Sequence, residues 1–267
     1  MDEFLQNLHY LAMNYDPIFF YISDLSKEQL VINDPEKKCR FCDKKEPEVT
    51  FKKTAHALPE LIGNKKIKSN NECDICNEKI SAKIEDSLGK YLGVWRTMMQ
   101  IRGKRGVASY KSPDGISRID RTEKGIELRS FIDDPIFEQD EVNKIIRVKG
   151  YRQPYTPIAV YKCFVKMAIS VMPYDLLSYF HETKKWVIED SHIISKFDIQ
   201  PIMTISSFVP GPNPFGSVTM MLYKRKYDHL EVPFMQMVIA FNNLSYQIVV
   251  PCVYKDFHLN GKTITVP

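Results

Sequence analysis

The sequence predicts an α+β protein in three parts. These are a helical N-terminal segment (residues 1–36), a small module carrying two cysteine pairs (37–110), and an α+β domain with a mostly antiparallel sheet (111–267). Three observations lead there. Two Cys-x-x-Cys pairs stand 30 residues apart, in a stretch too small to bury a core of its own. Apolar residues recur at helical spacing directly after the second pair and again over residues 156–181. The last third of the chain holds β-rich runs, PIMTISSFV, SVTMMLYKRK and PFMQMVIAFNNLSYQIVVP, the last with a hairpin turn at Asn242–Asn243.

Taken in order, FLQNLHYLAM places Phe4, Leu5, Leu8, Leu11 and Ala12 on one helical face, and SDLSKEQLV, with its capping residues, reads as a second short helix. EVTFKKTAHAL is β-rich around Val49, Thr50 and Phe51, and GNKK reads as the following turn. From Cys76 a helix is expected, with Ile80, Ile84, Leu88, Tyr91, Leu92 and Trp95 on its apolar face. Residues 111–150 alternate polar and apolar residues and read as strands and turns. Residues 156–181 read as a helix broken near Pro173, which cannot donate the backbone bond, and then a shorter one.

Composition sets the outer limits. Among 267 residues, 44% are apolar, enough for at least one sizeable core. No apolar run reaches the length of a membrane span. The acidic start MDEF lacks the basic-then-apolar pattern of a signal peptide, so a cytoplasmic protein with reduced thiols is expected. Charge is uneven: between Lys37 and Tyr110, 17 Lys and Arg face 9 Asp and Glu, although the whole chain carries only +4. Such a basic stretch suits a polyanion such as nucleic acid, and also an ordinary solvated surface.

Six cysteines are distributed unequally. Cys163 and Cys252 lie alone in apolar segments and read as buried thiols. Cys39, Cys42, Cys73 and Cys76 form C-x2-C-x30-C-x2-C, the spacing of a tetrahedral zinc site; four soft thiolates close the coordination shell. Metal binding would then supply folding energy to the module. A closed shell leaves no position for substrate, so zinc does not account for His56 between the pairs or for Asn77 directly after the last cysteine.

The segment CRFC…TAHALPELIGN…NNECDICNEKIS resembles the HNH endonuclease family, in particular its zinc-containing branch, over roughly residues 39–95, about a fifth of the chain. The resemblance implies a ββα-metal finger: two strands and a helix, here held by zinc. It implies that His56 is the general base and Asn77 a ligand of a catalytic Mg2+ or Mn2+. Many relatives carry an acidic residue before the base, where this chain has Ala55, so Glu60 or Glu85 would complete the metal site. The family's middle asparagine, which orients the base, corresponds to Asn64, Asn70 or Asn71, of which Asn71 is preferred. A packed histidine beside a zinc knuckle is the alternative for His56, and a helix N-cap, compatible with metal binding, for Asn77.

Lys52, Lys53, Lys65, Lys66, Lys68, Arg102, Lys104 and Arg105 are candidate phosphate contacts, with IRGKRG the best cluster because glycines let backbone and side chains approach together. Beyond residue 111 no catalytic signature is found. Lys162 and Lys166 stand four apart on a helix and read as snorkelling lysines, or as phosphate contacts. FVPGPNPFG is a loop of the kind that carries contacts, and His181, His192, His229 and His258 show no ligand spacing. The expected function is metal-dependent hydrolysis of DNA phosphodiesters, with RNA not excluded, in bacterial defence. The C-terminal domain would contact DNA, a partner protein or a second copy, or gate the nuclease. The alternative is a catalytically decayed zinc module that binds nucleic acid or protein.

Overall fold

The computed structural model describes residues 3–23, 25, 28–191, 202–216 and 218–264. Helix α1 (Glu3–Asn14) leads directly into strand β1 (Tyr15–Ile22), then β2 (Leu30–Ile32). The short strands β3 (Ala55–His56) and β4 (Ile67–Ser69) precede α2 (Asp74–Ile80). A π-helical turn over Ser81–Glu85 joins α2 to α3 (Asp86–Leu92), and α4 (Val94–Met98) follows. Next come the small hairpins β5 (Arg102–Gly103)/β6 (Gly106–Val107), β7 (Tyr110–Lys111)/β8 (Arg118–Thr122)/β9 (Gly125–Arg129), and β10 (Phe137–Asp140)/β11 (Ile145–Val148). Helices α5 (Pro157–Val171) and α6 (His181–Ile188) flank a 3-10 segment, and strands β12 (Thr204–Phe208), β13 (Thr219–Arg225), β14 (Met235–Phe241) and β15 (Leu244–Val249) end with α7 (Val253–Asp256).

The mixed α+β architecture with an antiparallel sheet is as expected. The main sheet runs β1-β13-β14-β15-β12, antiparallel throughout. Asn242 takes a positive φ of 53° in the β14–β15 turn, a backbone state that asparagine tolerates. A second sheet, β2-β4-β3, belongs to the finger.

Between these two sheets lies α5. Its sequence PIAVYKCFVKMAISV is apolar on nearly every side, and every residue from Ala159 to Val171 is buried, as for a helix wrapped on all faces. Phe164 packs on Tyr246 at 4.8 Å between ring centroids, and the Tyr161 hydroxyl donates to the Val249 carbonyl. On the opposite side the same apolar cluster takes in Leu58, Ile62, Ile80, Ile84 and Leu88 of the finger. One core therefore runs from the finger through α5 to the sheet. Among the described residues no helix is long and apolar enough to cross a membrane.

Several expectations need correction. Residues 15–22 form an edge strand of the main sheet rather than more helical segment, because Tyr15 and Tyr21 alternate inward against the core. SDLSKEQLV supplies a turn and the strand β2 rather than a helix; Asp24, Ser26 and Lys27 lie outside the described residues. Val49–Phe51 is not a strand: the Asp74 carboxylate accepts bonds from the Thr50 hydroxyl and the backbone N–H groups of Lys52 and Lys53, which folds that stretch around the start of α2. Trp95 is 41% exposed, because Gly93, at φ 48°, ends the helix before it, and Trp95 packs on Phe208 instead. His192 falls outside the described residues.

Candidate active site

The two cysteine pairs converge. The four sulfurs all lie within 4.8 Å of one another, and Cys42 Sγ is 3.8 Å from Cys73 Sγ. Sulfurs on a zinc ion, each about 2.3 Å from it, stand about 3.8 Å apart in a tetrahedron. Among the described residues this is the one such cluster of potential ligands. Its electrostatics also call for a cation. Cys39 is drawn down to about 5, mainly by its hydrogen bond with Cys76, while burial pushes Cys73 up to about 12. Several thiolates held this close repel one another unless a metal stands between them. The four residues therefore fit zinc in donor type, count and spacing.

The finger beside them is a compact ββα unit. β3 pairs antiparallel with β4, placing His56 opposite Lys68, and α2 follows with Cys73 as its N-cap residue. Asn77 is thus the fourth residue inside the helix, so the cap reading does not apply to it. Its side chain bonds to no described residue and faces a cleft of ≈ 930 Å3. That cleft is also lined by Lys53, His56, Glu60, Glu85, Arg96, Lys104 and Arg105. Glu85 ends the π turn, a feature that recurs at functional sites because one extra residue rotates everything after it.

His56 is half-buried. Its Nε2 stands 3.7 Å from Glu60 Oε2, and its Nδ1 is buried with no hydrogen-bond partner among the described residues. Burial lowers its pKa; Glu60 opposes, and the charges of Lys68, Lys166 and Lys104 reinforce the depression. The ring is therefore held neutral near pH 7, as a proton acceptor requires. The Glu85 carboxyl is pushed up by burial, with Lys166 opposing and Glu60 adding to it. Two carboxyl groups lining one cleft suit a shared cation, although His56, Glu60 and Glu85 do not close into a tight three-ligand cage.

The asparagines divide by role. Asn71 is not brought to His56: its Oδ1 accepts from the Asp34 N–H, and its Nδ2 donates to the Glu36 and Lys38 carbonyls, bracing the chain that leads into Cys39. Asn64 holds the loop directly after His56. Its Nδ2 donates to the Leu58 and Ile67 carbonyls, and its Oδ1 accepts from the N–H groups of Lys66 and Ile67. Of the two, it is Asn64 whose bonds close the turn that joins β3 to β4.

The basic candidates divide too. Lys53, Lys104 and Arg105 line the His56 cleft. Lys65 and Arg102 line a neighbouring cleft of ≈ 600 Å3 together with Arg121, Asn213 and Asn242, and no carboxylate of the described residues lines it. Lys66 is drawn away, its ammonium donating to the Ser23 carbonyl. Lys52 is exposed outside both clefts.

The family model described as HNH endonuclease matches residues 39–92. No curated protein and no solved structure matches the chain. The HNH match covers the zinc quartet, His56, Asn77, Glu60 and Glu85, and ends where α3 ends.

Two residues escape sequence reasoning. Arg96 lies beyond the HNH match on α4, yet it reaches the cleft, where among the described residues it has no ion pair or side-chain hydrogen bond and its buried Nε has no partner. Burial lowers its pKa, the mark of a charge held away from water. An arginine one residue from Trp95 carried no signal, because the break at Gly93 decides where it points. Lys166, read as snorkelling or phosphate-facing, is fully buried instead, as is Lys162, whose ammonium donates to the Glu189 and Ser191 carbonyls.

Proposed function

We propose that the chain is a metal-dependent endonuclease that hydrolyses DNA phosphodiester bonds in the cleft beside the zinc quartet. The observation that carries this reading is the convergence on one cleft of His56, Asn77, Glu60 and Glu85, from within the HNH match, with Arg96, Lys104 and Arg105, from just beyond it. Neutral His56 takes the proton of a water molecule as its oxygen attacks phosphorus. The bond from phosphorus to the leaving oxygen breaks, and solvent protonates that oxygen. Arg96, Lys104 and Arg105 hold the non-bridging oxygens, where charge builds up. Asn77, with Glu60 and Glu85, offers the oxygen donors that Mg2+ or Mn2+ prefers, and such an ion would stabilise the attacked phosphate and the leaving oxygen. Asn64 keeps the loop after His56 closed. Substrate flanking the cut follows Lys65, Arg102 and Arg121 through the adjoining acid-free cleft.

The test is cleavage of supercoiled plasmid, and of single-stranded DNA and RNA of equal length, with Mg2+ or Mn2+. Loss of the general base in His56→Ala should slow cutting about 10²- to 10⁴-fold. Equal cutting by wild type and His56→Ala would overturn the assignment. Ala55, buried where an acidic ligand is expected, favours a second reading, a decayed module that binds nucleic acid. Binding without cutting under every divalent ion would select it. A role in bacterial defence rests on the family resemblance, and plating of phage on cells carrying the gene tests it.

A further inference from the structure

We propose that Lys166, on α5, is a positioning residue for His56, acting on the backbone of the residue that carries the ring. The proposal rests on the endonuclease reading for its catalytic consequence, but not for its geometry. Lys166 lies 110 positions away in sequence, yet its Nζ donates to the His56 carbonyl at 2.6 Å and the Ala57 carbonyl at 3.3 Å, and stands 3.1 Å from Glu72 Oε2. Both charged side chains are only 1% exposed.

An ammonium has three protons to donate, and here three acceptors surround it. Two belong to the last residue of β3 and the residue after it. The third belongs to the residue before Cys73, at the entry to α2, which carries Asn77. One buried cation therefore holds both walls of the cleft, by hydrogen bonds to the strand bearing the base and by an ion pair with the approach to the helix bearing the metal-type ligand. β3 needs such a hold. It is two residues long, lies at the edge of its sheet, and pairs only with β4.

Stability alone is a poor account of this pair. Burying an ion pair costs desolvation that its attraction rarely exceeds, and well-packed apolar residues commonly do as well. The neighbours of Lys166 on α5, Val165 and Met167, are fully buried apolar side chains of the kind that would fit. What an apolar residue could not do is fix the carbonyl of His56. Small displacements of a reacting group lower rate steeply while leaving substrate affinity nearly unchanged.

The test compares wild type with Glu72→Gln and with Glu72→Gln/Lys166→Met, since removing the lysine alone would strand a buried carboxylate. Glu72→Gln keeps the ammonium on the His56 carbonyl. Its kcat should stay within about fivefold of wild type, whereas the double variant should lose about 100-fold in kcat with KM within about threefold. Zinc content should be equal in all three proteins. In protein labelled at histidine, the ring signals of His56, assigned through His56→Ala, should shift in the double variant and hold in Glu72→Gln. Wild-type kcat in the double variant would overturn the proposal, as would a parallel loss of kcat and melting temperature in both variants. If wild type cuts nothing, the endonuclease reading falls, and the His56 ring signals decide the positioning claim alone, with unchanged signals rejecting it. If the double variant does not fold, Lys166→Gln with Glu72→Gln replaces it. That pair can bond side chain to side chain, but the shorter amide cannot reach the His56 carbonyl. Failure of both double variants to fold would assign Lys166 to structure alone.

Discussion

His56 and Asn77 stood out in the sequence because zinc explained the cysteines around them and not these two. The structure adds what the ring experiences. A histidine pKa lowered by burial means that the native state binds the proton less readily than the unfolded chain does. The neutral ring is thus retained to a pH below its unfolded value of about 6.5, and its contribution to stability is lost as pH falls through the lowered native pKa. The acid limb of cleavage should accordingly lie below pH about 6.5, measured as kcat/KM against pH at fixed ionic strength. A limb above that value would mean that burial does not govern the base. Asn77 and Cys73 separate two layers of the site. Cys73→Ser should release zinc and unfold the finger, read by metal content and circular dichroism. Asn77→Ala should keep the zinc and the fold while losing cleavage by at least about tenfold.

At the scale of elements, legibility followed distance along the chain. The zinc spacing, the long helix after Cys76 and the break at Pro173 could be read because each depends on neighbours within a few turns. β3 was drawn too long because the polar groups of residues 50–53 turn to Asp74, a partner more than twenty positions away. Sequence spacing preferred Asn71 to Asn64, and only the loop that each fastens tells them apart. The β5/β6 hairpin, from IRGKRG, contributes to both clefts: Arg102 lines one, and Lys104 and Arg105 the other. If substrate follows that path, Arg102→Gln/Arg121→Gln should reduce the slope of log K against log salt by about two, with kcat nearly unchanged. An unaltered slope would remove the second cleft from the footprint.

At the scale of the whole molecule, the finger does not stand apart. Arg40, between the first two cysteines, pairs with Asp34 and donates to the Ile169, Ser170 and Met172 carbonyls at the C-terminal end of α5. Asp43, just past Cys42, accepts a second tether from the ammonium of Lys184 on α6. A fragment of residues 37–110 would lose these partners together with Lys166, and would expose the apolar face that packs on α5. We expect it to stay unfolded or molten even with zinc, seen as collapsed amide dispersion in NMR; a well-dispersed spectrum would show an autonomous finger. Sequence reading drew a boundary there because the metal motif is self-contained as chemistry, whereas the packing that completes it comes from residues too distant to recognise.

Strand β1 carries a kinetic implication. Tyr15 pairs with Arg225, and the whole strand is hydrogen-bonded along β13. During synthesis at 5–20 residues per second, roughly ten to forty seconds separate the emergence of these two residues from the ribosome. Throughout that interval Tyr15 and Tyr21 have no sheet to enter, and the nascent chain exposes an unpaired apolar edge. Closure of the main sheet therefore waits for β13, and chaperone capture competes with it for the same strand.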